Sequence, residues 1–182
     1  RWPRSTSRGE SRPPSASLLG AKEIPPADGN TCFANMVAAY RELDPALQQR
    51  IASLEINFSR VRAYALYHPE RPPLTDEEKA RLPDVRHPIV RTHPETGERA
   101  LYVGGEQHGG TVVGLSEREG DALMRELRDF ATQPRFSYEH RWRVGDFIVW
   151  DNRSTMHCAL PFDEEHHRRM MYRLQVAGNE PH

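Results

Sequence analysis

Apolar and polar positions in this chain alternate over many short runs and fall at helical spacing in only a few. Ser15-Ala16-Ser17-Leu18-Leu19 reads as a strand, the stretch IPPADGN as a loop, and Thr31-Cys32-Phe33 as a second short strand. Residues 34–43 and 45–54 read as two helices. Asp44 supplies an N-cap, Pro45 takes the first helical position, and Leu47, Ile51 and Leu54 recur at helical spacing. Residues 60–86 are rich in Pro and charge, with a small helix expected at 76–81. An irregular insertion of that length is the kind of segment that serves as a lid or binding loop. In HPIVRTHPETGERALYV, Ile89-Val90 and Leu101-Tyr102-Val103 form the strands of a hairpin, with Pro94-Glu95-Thr96-Gly97 as its turn. Residues 116–132 give the clearest helix. Ser116 and Glu119 make a capping box, and Leu123, Leu127, Phe130 and Ala131 line one face. The final third is strand-rich, with strands expected at 136–143, 146–150, 155–159 and 169–176. Without an internal repeat or βαβ alternation, the pattern predicts a mainly β barrel or jelly roll with inserted helices.

Within that final third, WDNRSTMH is the most informative stretch. The apolar run Phe147-Ile148-Val149-Trp150 predicts a buried strand, Asp151-Asn152 supplies turn chemistry, and a second strand then carries His157 near its middle. A histidine so placed is either a packed, hydrogen-bonded residue or a metal ligand, and spacing alone leaves both open.

Composition narrows the class without naming the chemistry. The 182 residues suffice for one domain with a sizeable core, taken as residues 15–182 behind an irregular, disordered arm at 1–14. A net charge of −1 gives no field to gather nucleic acid, and Arg1, Arg4, Arg8 and Arg12 with Trp2 alone among them make a poor nucleic-acid arm. No apolar run is long enough for a membrane span. Cys32 and Cys158 are too few for a disulfide framework and lack zinc spacing; free thiols suit a reducing cytoplasm, the expected location. A homo-oligomer is left open. The chain starts at Arg1 with no signal peptide, so its start has been removed or it is a fragment.

Five blocks together carry a resemblance: ASLLGAKEIPPADGNTCFANMVAAYREL, HPIVRTHPETGERALYV, VGLSEREGDAL, WRVGDFIVWDNRSTMH and HHRRMMYRLQVAGNEP. They resemble the taurine dioxygenase family over nearly all of residues 13–181. The resemblance implies a double-stranded β-helix holding non-haem Fe(II) and 2-oxoglutarate, with O2 as oxidant and a small anionic substrate: a sulfonate, a sulfate or an aryloxyacetate. It makes His157 the distal metal ligand of a two-His, one-carboxylate set, which leaves three positions open for cosubstrate and oxygen. It makes Arg169, with Thr31, the clamp on the far carboxylate of 2-oxoglutarate, in keeping with the forked geometry of a guanidinium. Arg173 lies four residues on, on the same strand face, and matches the residue that binds the substrate anion; Arg168 points to solvent.

The family's other two ligands form a His-x-Asp pair upstream, and this chain has no His-x-Asp anywhere. Arg1-Trp2 matches the residues before that His, but Pro3-Arg4-Ser5-Thr6 follows. The resemblance implies further sequence before that motif, including strands of the barrel, so the barrel is expected to be incomplete on its N-terminal side. Either catalysis has been lost, leaving a binding protein on the same scaffold, or the frame is shifted across Ser5-Thr6-Ser7, where an alternative frame can encode Asp-Val. Two His-x-Glu triplets, His68-Pro69-Glu70 and His93-Pro94-Glu95, are chemically acceptable substitutes. However, the first lies in the irregular insertion and the second in the hairpin block, where the family has no ligand.

Overall fold

The computed structural model describes residues 12–103 and 110–181; residues 1–11 of the expected arm lie outside them. Strands β1 (Ala16–Glu23), β9 (Phe147–Asp151) and β11 (Met170–Val176) form one antiparallel sheet in the order β11-β1-β9. Strands β2 (Thr31–Asn35), β8 (Ser137–His140) and β10 (Thr155–Ala159) form a second in the order β10-β2-β8. The two sheets meet through aromatic rings: the Trp150 ring of β9 lies 5.3 Å from Phe33 of β2 and 4.7 Å from His157 of β10. The other face of the second sheet, through Ala34 and Met156, joins the main hydrophobic core.

That core is built with helices. Helix α1 (Met36–Arg41) continues directly from β2, and Asn35 caps it by accepting from the Ala38 N–H. Helix α2 (Pro45–Ile51) starts at Asp44 with Pro45 in its first turn. Helix α5 (Glu117–Ala131) has the predicted capping box between Ser116 and Glu119. It buries Leu123, Met124, Leu127 and Ala131, with Phe130 partly buried beside them. Gly120 also faces inward. A Cβ there would sit 3.3 Å from Val112 Cβ, so its absence lets the helix lie close to the strand β7 (Gly110–Val112).

The structure corrects several expectations. The small helix expected at 76–81 forms as α4 (Asp76–Ala80), but the stretch before it is not irregular throughout, since α3 (Arg60–Tyr67) lies in it. Strands β3 (Glu55–Phe58) and β4 (Val85–Pro88) were not predicted, and with β7 they form a third sheet, β4-β3-β7. The hairpin forms from β5 (Val90–Thr92) and β6 (Arg99–Leu101), shifted by one to two residues. Part of the strand expected at 136–143 is a 3-10 turn, Pro134–Phe136, and Arg169 falls just before β11 instead of within it. The apolar run of β9 is not a buried strand. Trp150 is covered, but Phe147 and Val149 on its other face are exposed. Among the described residues no helix is long and apolar enough to cross a membrane.

Candidate functional site: an anion corner beside His157

Residues paired directly across antiparallel strands share a face, so register alone collects the candidate residues. On the second sheet Ala159 pairs with Thr31, which pairs with His140; His157 pairs with Phe33, which pairs with Tyr138. Thr31 and His157 therefore project from the same face, the one that Trp150 meets. On the first sheet Ile148 pairs with Leu19, which pairs with Arg173, and Trp150 pairs with Ser17. Arg173 is thus on the face that carries Trp150. Its charge reaches His157, whose pKa is lowered to about 4, first by burial and then by Arg173. The imidazole is consequently neutral at pH 7, the form that binds a metal. Beside it the buried Trp150 Nε1–H has no acceptor among the described residues, an arrangement that costs stability unless an oxygen is supplied.

Thr31 is the centre of the arrangement. Its hydroxyl, almost fully buried, accepts from Trp142 Nε1 at 2.9 Å and from Arg169 Nη2 at 3.3 Å. Arg169 Nε donates to the Gly29 carbonyl at 2.9 Å, and its guanidinium lies 5.9 Å from the Trp142 ring centre. Gly29 is required where it sits: its φ is +64°, and a Cβ would come within 2.9 Å of Pro25 Cγ and 3.4 Å of Arg169 Cδ. Asp28 is also left-handed, at φ 63°, so the DGN turn of the sequence is what aims Gly29 O at the guanidinium. Trp142 is held in turn by His140, edge-on at 4.6 Å, whose Nε2 is 3.0 Å from Asp146 Oδ2. Arg169 is half-buried, desolvation lowers its pKa, and among the described residues it meets neutral oxygens and an aromatic face but no carboxylate. A desolvated cation without a counter-charge is a seat for an anion.

The two substitute triplets are placed otherwise. His93 is buried and fully used: Nδ1 accepts from the Glu95 and Thr96 N–H groups at 3.3 and 3.2 Å, which puts the ring proton on Nε2, 3.0 Å from Asp151 Oδ2. His68 ends α3 at the surface, 3.6 Å from Glu70. Among the described residues no three His, Cys, Asp or Glu side chains are grouped to hold a metal ion, and His157 is surrounded by Trp150, Phe33 and Arg173. The described residues do not fit an iron centre. A cleft of about 430 Å³ opens at the Asn35 end of the second sheet, between Phe33, Arg41, His93, Glu98 and Tyr138, and touches neither His157 nor Arg169. Its polar groups are already paired, Arg41 with Glu98 and His93 with Asp151. We therefore take the uncompensated Arg169, and not this cleft, as the candidate site.

Sequence reasoning named Thr31, His157, Arg169 and Arg173 as candidates and did not name Trp142, the Gly29 carbonyl or the Asp151 network. Asp151 shares its carboxylate among His93, the Arg153 N–H at 2.7 Å and the Arg153 guanidinium, tying the hairpin to the turn before β10. Burial pushes its pKa up, but the hydrogen bonds from Arg153 and His93 outweigh this and bring it to about 2. A carboxyl depressed on folding adds stability above its unfolded value of 3.8, and that stability is lost as pH falls toward 2. Urea unfolding across this range should therefore show an acid limb that Asp151→Asn makes shallower. At pH 7 the variant should be about 1 kcal/mol less stable, the small figure reflecting partial solvent screening. An unchanged acid limb in the variant would show that the network does not hold the turn.

Comparison with known proteins identifies the family. The family model of the taurine catabolism dioxygenases TauD and TfdA matches residues 6–175. The α-ketoglutarate-dependent 2,4-dichlorophenoxyacetate dioxygenase of Cupriavidus pinatubonensis is 39% identical over 150 residues, covering 81% of this chain and 50% of that protein. An α-ketoglutarate-dependent sulfate ester dioxygenase of Pseudomonas putida is 32% identical over 173 residues, covering 92% of this chain and 56% of its own. Among solved structures, AAD-2 in complex with Mn(II) and N-oxalylglycine superposes with a TM-score of 0.86 at 38% identity, over 100% of this chain and 69% of that one. The chain thus spans about half the length of the relatives it matches in sequence. With the match running from before β1 almost to the end of β11, the chain belongs to the TauD/TfdA dioxygenase family.

Proposed function

We infer that this chain is the 2-oxoglutarate-binding portion of an Fe(II)- and 2-oxoglutarate-dependent dioxygenase, an incomplete double-stranded β-helix, acting in its whole form on a small anionic sulfonate, sulfate or aryloxyacetate. The observation that carries this is the Thr31 hydroxyl, shared by Arg169 and Trp142 on the sheet face that also bears His157. In this reading Arg169 and Thr31 hold the distal carboxylate of 2-oxoglutarate, Trp142 fixes the hydroxyl, and Arg173 attracts the anionic group of the substrate. His157 would offer one neutral nitrogen to the metal, whose remaining ligands are not among the described residues. Bound Fe(II) would supply the coupling of O2 reduction to oxidative decarboxylation of 2-oxoglutarate. The chain's own part is to orient the cosubstrate and to keep water from the guanidinium.

A second reading, favoured by the lack of a metal-ligand group among the described residues, is a protein that binds 2-oxoglutarate without catalysis. The two separate in a chimera joining this chain to the preceding portion of the Cupriavidus relative. As a dioxygenase portion, the chain should give a folded chimera whose 2-oxoglutarate affinity rises at least roughly tenfold with Mn(II), because chelation adds to the carboxylate clamp. A folded chimera that binds 2-oxoglutarate equally with and without Mn(II) would select the binding-protein reading.

A further inference from the structure

Cys32 and Cys158 take no part in the anion corner, yet the sheet register makes them neighbours. Cys32 on β2 pairs directly with Cys158 on β10, so both side chains leave the face that carries Ala34 and Met156, behind Thr31 and His157. The ladder fixes their spacing. Met36 N–H donates to Ser154 O at 2.9 Å, and Leu160 N–H donates to Asn30 O at 2.8 Å. Hydrogen-bonded pairs recur at every second position of an antiparallel ladder, so Cys32 and Cys158 belong to that set, with Cα atoms about 5.5 Å apart. Disulfides span Cα separations of about 4.4–6.8 Å, most often close to this value. The two thiols already hydrogen-bond to each other. Their access differs: Cys158 is buried, whereas Cys32 is half-buried and open to a small reagent. Among the described residues no third His, Cys, Asp or Glu joins them in a metal-binding group, and two sulfurs fall short of the four ligands of a structural zinc site. The chemistry left to the pair is a bond between the two sulfurs.

We propose that Cys32 and Cys158 form a reversible modification site, closed by a hydroperoxide into a disulfide between β2 and β10. The Cys32 sulfur, the accessible one, attacks a peroxide oxygen. The O–O bond breaks, water leaves, and a sulfenic acid remains on Cys32. The Cys158 sulfur then displaces that hydroxyl, which departs as a second water with the Cys158 proton. With hydrogen peroxide, two thiols and one peroxide give one disulfide and two waters; the sulfurs lose two electrons and the peroxide gains them. Burial holds both thiols above their ordinary range, Cys158 at about 12, so the reaction is slow at pH 7. Pairing, not acidity, selects the site. The same register makes the bond reversible. Cβ atoms in a hydrogen-bonded pair stand about 5.5 Å apart, wider than the roughly 3.5–4.5 Å of a disulfide, so closure draws the strands together and stores strain. A strained disulfide is the kind that a dithiol reduces readily. Thr31 and His157 immediately precede the two cysteines, so the bond ties together the strands that carry the corner.

Peptide mass mapping of the full chain, after native treatment with hydrogen peroxide and alkylation of the remaining thiols, tests the proposal. The expected product is a single chain that has lost two hydrogen atoms, takes up no alkylating agent and yields one cross-linked peptide joining Cys32 to Cys158. Dithiothreitol should return both thiols. In Cys158→Ser the same treatment should stop at a sulfenic acid on Cys32, trapped by dimedone. In Cys32→Ser the buried Cys158 should oxidise at least roughly tenfold more slowly. Thermal unfolding shows whether each variant is folded, and the map of the parent chain decides the proposal without them. Sulfinic or sulfonic acids on separate cysteines would overturn it. So would a link only between two chains, a Cys32–Cys158 link that appears only in urea, or thiols that stay intact.

Discussion

Incubated with Fe(II), ascorbate, 2-oxoglutarate and a panel of sulfonates, sulfates and aryloxyacetates, this chain should form no succinate above a protein-free control. A metal held by one imidazole has neither the affinity nor the fixed geometry that oxygen activation needs. Beside the anion corner, among the described residues, His157 has a buried ring that its lowered pKa keeps neutral. His93 cannot substitute without giving up its bond to Asp151 and its two backbone N–H donors, and His68 is at the surface. Succinate production by the unmodified chain would contradict this. Repeating the assay with His68→Ala and His93→Ala would then show which of these rings had entered the metal site.

Replacement of Arg169 should have the largest effect on ligand binding. Arg169→Gln removes a half-buried charge and leaves the cosubstrate carboxylate without its counter-ion, a loss of about 2–4 kcal/mol, or roughly 30- to 1,000-fold in affinity for 2-oxoglutarate. Arg169→Lys keeps the charge but cannot reach Gly29 O, Thr31 Oγ1 and a carboxylate through one planar fork, so it should recover only part of the loss. Because Arg169 also ties the DGN turn to the residue before β11, both variants need a thermal unfolding control. Unchanged 2-oxoglutarate affinity in a folded Arg169→Gln protein would remove Arg169 from the site.

What the sequence revealed follows from how local each feature is. Helix α5 was legible because its cap and its buried stripe lie within one turn or a few turns of each other. The β9–turn–β10 unit was legible because Asp151-Asn152 interrupts two runs of strand character. Strand β4 was hidden: Val85-Arg86-His87-Pro88 has no apolar alternation, and it exists because Ile56 and Phe58 on β3 offer it a partner about thirty residues away in sequence. Helix α3 was hidden for the opposite reason, having no buried residue and hence no apolar stripe; the Ser59 cap is its main local signal. The exposure of Phe147 and Val149 could not be read from an apolar run, since such a run implies a partner layer that the described residues do not provide on that face.

The candidate site divides in the same way. Thr31, His157, Arg169 and Arg173 came from motif blocks, because each block carries its residues at fixed spacing. Trp142 and Gly29 had no such signal. A hydrogen bond from an indole to a hydroxyl 111 positions away, or from a guanidinium to a carbonyl 140 positions away, leaves no periodicity in the sequence. The DGN turn could have pointed to Gly29, since two consecutive left-handed residues aim a carbonyl out of the chain direction. Tyr138 and His140 on β8, with Asp146 in the turn before β9, support Trp142.

The central claim is that a dicarboxylate sits at Arg169 and Thr31, on the His157 side of the second sheet. The most direct measurement is a crystal structure of the chain grown with N-oxalylglycine. The account predicts one carboxylate of the analogue within hydrogen-bonding distance of both the Arg169 guanidinium and the Thr31 hydroxyl. N-oxalylglycine bound instead in the cleft between Arg41, His93 and Tyr138, with Arg169 still held only by Gly29 and Thr31, would contradict it.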